Sequence, residues 1–255
     1  MQARFNIAVA RFFICIYLLI FHSDFPDISY NVANFVPQGL FHLLPGPIGE
    51  FWFLPLRILW MVSLFLAAFG RLMPVSMGAA LLSGTYVMAY CNNFGLPIVG
   101  TALAYLCLWI LFLSEFGRDQ KKNFLKLAQV IIVMFYCVSG LQKLRFGGLE
   151  WVTSENLAIQ MFYNRMTPTA QWLLSLDPIW IRMLAGSIVT IEILSPLALI
   201  NKRIALVFVF LWASMHIGIQ VVFDYHRTFL SCIPCLAFFI DWDRVVPQRL
   251  KGIFK

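Results

Sequence analysis

The chain has 255 residues, of which 61% are hydrophobic, 16% aromatic and only 12% charged, where a soluble domain carries about 25% charged residues. Its mean hydropathy is +0.80, which excludes a soluble globular protein. The net charge of +7 does not indicate a nucleic-acid binder, because the basic residues fall in the connections between apolar runs, as membrane topology requires.

Apolar runs cover 5–21, 51–69, 74–91, 97–114, 125–142, 180–200, 204–223 and 228–241. In lipid such runs are helices, since every backbone N–H and C=O needs a partner within the segment. With no ten-residue stretch of apolar/polar alternation, a β-barrel has no support. The predicted fold is therefore an all-α, polytopic transmembrane helix bundle of about eight spans, read as a single domain over 1–255 and embedded in the lipid bilayer. The first run has no small-residue cleavage site after it and is read as a retained helix. Six cysteines, mostly isolated in apolar runs, behave as small hydrophobes.

With the N-terminus cytoplasmic, one face receives Arg71, then Arg118, Lys121, Lys122 and Lys126, then Lys202 and Arg203, and finally Arg244, Arg249, Lys251 and Lys255. The other face receives the 22–50 loop, which holds Asp24 and Asp27 and no Lys or Arg. The positive-inside rule thus puts both termini in the cytoplasm and the two long connections outside. The expected location is the bacterial cytoplasmic membrane.

Both outer connections are far longer than the usual 2 to 8 residues between bundle helices. The first carries Phe25, Tyr30, Phe35 and Phe41; the second, over 143–179, carries Trp151, Met161, Phe162 and Trp172 among polar residues. The second reads as one or two interfacial amphipathic helices. These loops either cap the outer mouth of the bundle or serve as ordinary aromatic-belt anchors.

Ionisable residues within spans are costly, at roughly 2.5 to 3.5 kcal/mol near a helix centre, and so are site candidates. Arg57 starts about 9 Å below the outer edge and either snorkels outward, pairs with Glu50 or lines a site. His216 lies about 10 Å deep, with Gln220 one turn further out on the same face, either joining helices by a hydrogen bond or lining a cavity. Glu192, about 18 Å deep, is predicted to pair with Arg57 or His216 or to stay protonated, with Pro196 kinking the helix one turn later. Lys143 closes the run VIIVMFYCVSGLQKL. It is either an interfacial anchor or a base, the latter if burial and the nearby Arg145 favour the neutral amine. Cys232-Ile-Pro-Cys235 has redox spacing but lies in an apolar segment with no thioredoxin-type pattern around it. The four histidines lack zinc-site spacing, so no metal is predicted.

The stretch FYCVSGLQKLRFGGLEWVTSE, through Gly140, Lys143, Leu144, Glu150, Trp151 and Val152, resembles the HTTM membrane proteins, whose best-known members are the vitamin K-dependent gamma-carboxylases. Downstream, Glu192 matches a buried acid and His216 a mid-membrane histidine of that family, and VARFFICIYLLI with Arg11 is similar to its opening helix. The resemblance implies that Lys143 is the base that deprotonates a reduced vitamin K or other naphthoquinol, and that His216 holds the oxyanion or the substrate. Arg57, Glu192, Gln220 and Trp151 would line the quinol or substrate pocket. The activity implied is quinol-dependent carboxylation of glutamate in a secreted protein or peptide, a carbon–carbon lyase chemistry.

Two departures stand beside it. Gln142 precedes Lys143 where the carboxylases have a second lysine. The carboxylases also carry a large extracytoplasmic docking domain after the membrane region, whereas this sequence stops at Lys255. The family includes short members without known enzymatic activity, one of which assists maturation of a secreted peptide toxin. The alternative expectation is therefore a non-catalytic partner in the maturation or export of a secreted peptide or protein. A pure transporter is disfavoured, since neither an inverted repeat nor paired broken helices are visible.

Overall fold

The computed structural model describes residues 2–23, 50–93, 102–153, 155–163, 167–223 and 228–254. The first long loop, with its proposed cap of the bundle, lies outside the described residues. The structure is all-helical, with no strand among the described residues. Three helices are long and apolar enough to cross a membrane: α1 (Gln2–Ser23, over Gln2–Ile20), α5 (Lys121–Gly147) and α10 (Lys202–Phe223). The helices α8 (Pro168–Leu174) and α9 (Pro178–Ile193) pass that test together but are bent by 114° at their break. Shorter apolar stretches lie in α2 (Glu50–Ala68), α3 (Val75–Asn93) and α4 (Ala102–Phe116). These helices fit a multi-pass membrane protein.

The chain groups into two compact units, residues 1–124 with 241–255, and residues 125–240. In the first, Ile14 and Leu18 of α1, Trp60 and Leu64 of α2, Met77 and Leu81 of α3, and Leu103 and Leu108 of α4 are buried. The short C-terminal helix α12 (Trp242–Val245) returns to α1, where Trp242 lies 5.2 Å from the Phe13 ring and Asp241 accepts a hydrogen bond from Gln2.

The second unit holds the site. Long apolar residues are exposed along one stripe of α5 (Val130, Met134, Val138, Leu141) and along α10 (Leu206, Phe210, Ile217, Val221). Their i, i+3/i+4 spacing makes a face suited to hydrocarbon, opposite the side that packs inward. Helix α5 ends at the Gly147-Gly148 pair. Gly148 takes φ +57°, and its N–H returns to the Leu144 carbonyl at 2.8 Å, a left-handed stop that costs little only for glycine.

The expected interfacial segment is three short helices: α6 (Glu150–Thr153), α7 (Asn156–Tyr163) and α8. Leu157 and Met161 of α7 and Ala170 of α8 are buried against Ile181 and Ala185 of α9 and Val222 and Phe223 of α10. Asp177 caps α9 by accepting from the Ile179 N–H at 2.9 Å, with Pro178 at the first helical position. The predicted 180–200 span stops early, at Ile193. Pro196 disfavours helix in the residue before it, and a 3-10 turn over Ser195–Leu199 follows. The predicted 228–241 span is likewise not one α-helix: a 3-10 turn, the four-residue α11 (Cys232–Cys235) and a second 3-10 turn succeed one another around Pro234, which has no N–H to give to an α-helical ladder.

Candidate functional site

Helix α5 presents Tyr136, Ser139, Gly140 and Lys143 on one stripe, since positions three, four and seven apart share a face. Gly140 is the point of closest approach to α9. A methyl group there would stand 2.8 Å from the Glu192 Cβ and 3.1 Å from the Ile193 backbone nitrogen. The absent side chain lets the two helices close up and brings the Glu192 carboxylate onto the α5 stripe one turn further on.

There the Lys143 Nζ donates to both Glu192 carboxylate oxygens at 2.5 Å, and the Ser139 hydroxyl donates to Glu192 Oε1 at 3.2 Å. Lys143 Nζ also lies 3.4 Å from Ser139 Oγ. The Glu192 side chain is 5% exposed and that of Lys143 25%, so the pair opens to its surroundings on the lysine side. The Trp151 ring covers that side, with its centroid 5.3 Å from Nζ, within cation–π range. Two further bonds hold the frame: Ser195 Oγ donates to the Val133 carbonyl at 2.9 Å, and Gln129 Nε2 to that of Phe238 at 2.8 Å.

The second half of the site comes from α10. Trp212 and Tyr136, fully buried, stack with centroids 4.5 Å apart and planes 6° from parallel. One turn beyond Trp212, His216 is 4% exposed and its Nε2 lies 2.8 Å from the Tyr136 hydroxyl. Its Nδ1 is buried with no hydrogen-bond partner among the described residues, and so is Oε1 of Gln220 one turn further on. Two orphaned polar atoms on one helix face are the usual mark of a place for a polar ligand or a water. Cys232 and Cys235 are both buried and unbridged, which for thiols means low reactivity.

In the same unit, an apolar groove of about 250 Å³ runs between α9 and α10, lined by Ile188 and Ile191 on one side and by Leu211, Met215, Gly218 and Ile219 on the other.

Among the residues singled out in the sequence, Lys143, Glu192 and Trp151 thus come together, and His216 with Gln220 lines α10 in the same unit. Glu192 pairs with Lys143, a partner the sequence reading did not weigh for it. Arg145, weighed in the sequence as a neighbouring cation of Lys143, sets its guanidinium 5.5 Å from the Phe146 ring. Arg57 belongs to α2 of the first unit and is half-buried; a pairing with the Glu50 side chain lies outside the described residues. Tyr136, Ser139 and Trp212 are the site residues that sequence reasoning passed over. Compared with family models, with curated proteins and with solved structures, the chain matches none.

Proposed function

We propose that this chain is an integral membrane protein of the gamma-carboxylase-like HTTM type, with both termini cytoplasmic. In this reading it binds a reduced naphthoquinone at the Lys143–Glu192–His216 cluster and serves quinol-dependent carboxylation at the extracytoplasmic face. The observation that carries the reading is a Lys–Glu pair with a buried carboxylate in the same helical unit as an imidazole whose Nδ1 has no partner among the described residues.

A phenol that ionises needs an acceptor for its proton and donors for its oxygen. The Lys143–Glu192 pair supplies the acceptor as a unit: Lys143 hands a proton to the Glu192 carboxylate as it takes one from the phenol. The ammonium then stays beside the new phenolate, where a low dielectric strengthens its attraction. This division of labour removes the need for a free lysine amine, because the carboxylate is the final holder of the proton. His216 and Gln220 contribute hydrogen-bonding atoms that have no partner among the described residues, and the α9–α10 groove offers apolar surface for a hydrocarbon tail. A bound naphthoquinol supplies, with oxygen, the strong base that takes the γ-proton of a substrate glutamate before carbon dioxide adds. Lys143 and Glu192 are assigned to proton transfer, and Trp151, over the ammonium, to shielding it from water.

Titration of the purified protein with a reduced naphthoquinone, followed by hydroquinone fluorescence, tests the reading. Wild type is expected to bind, with affinity at least tenfold weaker in both Lys143→Ala and Glu192→Gln. Equal binding by folded wild type and variants would sink it.

A second reading has an observation in its favour. The Lys143 ammonium is already hydrogen-bonded to both Glu192 oxygens and sits against Ser139, as in a clamp that merely joins α5 to α9. The chain would then be a non-catalytic membrane partner for maturation or export of a secreted peptide or protein. That reading predicts no quinol binding in wild type and retained function when Lys143 and Glu192 are replaced together by Met and Leu.

A further inference from the structure

His216 is a buried imidazole without a carboxylate partner among the described residues, and a buried unpaired charge is expensive, so the ring is neutral and carries one N–H. Which nitrogen carries it depends on Tyr136. The tyrosine hydroxyl has one proton, and the His216 Nε2 lies 2.8 Å away as an acceptor for it. A phenol hydroxyl is a strong donor and an unprotonated imidazole nitrogen a good acceptor, so the hydroxyl donates to Nε2. Nε2 is then unprotonated and the N–H sits on Nδ1, the atom with no partner among the described residues. Stacking of Tyr136 on Trp212 at 4.5 Å and 6° keeps the ring from turning its hydroxyl elsewhere.

We propose that Tyr136 is a positioning residue that fixes His216 as the Nδ1–H tautomer, making His216 a hydrogen-bond donor to an acceptor oxygen, a phenolate or a carbonyl, of the bound ligand. The inference deepens the quinol reading, and its ligand rests on that reading; the tautomer itself does not. Tyr136 touches no reacting atom: it acts through the imidazole, whose other nitrogen it occupies.

The test is nitrogen-15 NMR of the full chain in detergent or nanodiscs with labelled histidine, His216 being assigned by its loss in His216→Gln. Wild type is expected to show a protonated, pyrrole-type Nδ1 and a pyridine-type Nε2. In Tyr136→Phe, which keeps the stacked ring and loses only the hydroxyl, the pattern is expected to move toward the Nε2–H form. A pyridine-type Nδ1 in wild type would overturn the proposal, whether or not the variant folds, as would an unchanged pattern in a folded Tyr136→Phe. Adding the reduced naphthoquinone separates the two claims. A shift of the Nδ1 signal supports both, whereas the expected tautomer with no shift on saturating ligand overturns the ligand assignment and the quinol reading while the role of Tyr136 stands.

Discussion

Gly140 of α5 and Glu192 of α9 meet so closely that a Cβ on the glycine would stand 2.8 Å from that of the glutamate. The Lys143–Glu192 pair depends on this approach, because a lysine one turn away reaches the carboxylate only if the two helices run nearly in contact. Part of the obstacle is the Ile193 backbone nitrogen at 3.1 Å, which cannot rotate aside as a side chain can.

Gly140→Ala is therefore expected to destabilise the protein by about 1–3 kcal/mol, the usual cost of forcing a methyl group into a packed interface. Helix propensity alone predicts the opposite sign, a gain approaching 1 kcal/mol. Unfolding in mixed detergent micelles distinguishes the two, and a more stable Gly140→Ala would mean that α5 and α9 can part without loss.

Removing the cation of an ion pair whose carboxylate is buried strands that carboxylate. Lys143→Met leaves a carboxylate that is 5% exposed without its cation and is expected to cost up to about 3–5 kcal/mol. The double variant Lys143→Met/Glu192→Leu removes the stranded charge as well and is expected to be more stable than the single one. A double variant less stable than Lys143→Met would show that the two side chains do not act as a pair.

Trp212 supports Tyr136 from one face and is fully buried. Trp212→Ala is expected to cost about 3–5 kcal/mol through the cavity it opens, and Trp212→Phe distinctly less. Equal stability of Trp212→Ala and wild type in thermal unfolding would contradict the stacked arrangement as a determinant of the fold.

A smaller effect is expected at Ser195, whose hydroxyl donates to the Val133 carbonyl at 2.9 Å from a wholly buried position. The carbonyl can keep its helical bond, so Ser195→Ala loses one neutral hydrogen bond, about 0.5–1.5 kcal/mol. A loss above that range would point to a wider role for Ser195 in holding the 3-10 turn after α9.

Much of this architecture can be read in the residues. Apolar runs locate α1, α5 and α10 because bilayer thickness sets their length and the lack of water sets their composition. Lys143, Glu192 and His216 are legible as candidates because an ionisable group in such a run is costly wherever it points. Tyr136 and Trp212 are not, since an aromatic residue in an apolar helix reads the same whether it faces lipid or a neighbour. The partner of Glu192 is equally hidden, because pairing depends on helix order, which periodicity does not encode. Pro196 does announce the end of α9. The three short helices after Gly148 are less legible, because their apolar residues divide between the Leu157–Met161 core and exposed positions such as Phe162.

The most direct test of the central claim is mass-spectrometric detection of quinone epoxide after incubating purified protein with reduced naphthoquinone, oxygen and bicarbonate, with Lys143→Ala and Glu192→Gln beside wild type. The account predicts epoxide from wild type and at least a hundredfold less from each variant. No epoxide from folded wild type, or equal amounts from wild type and Lys143→Ala, would contradict it and leave the Lys143–Glu192 pair as a clamp between two helices.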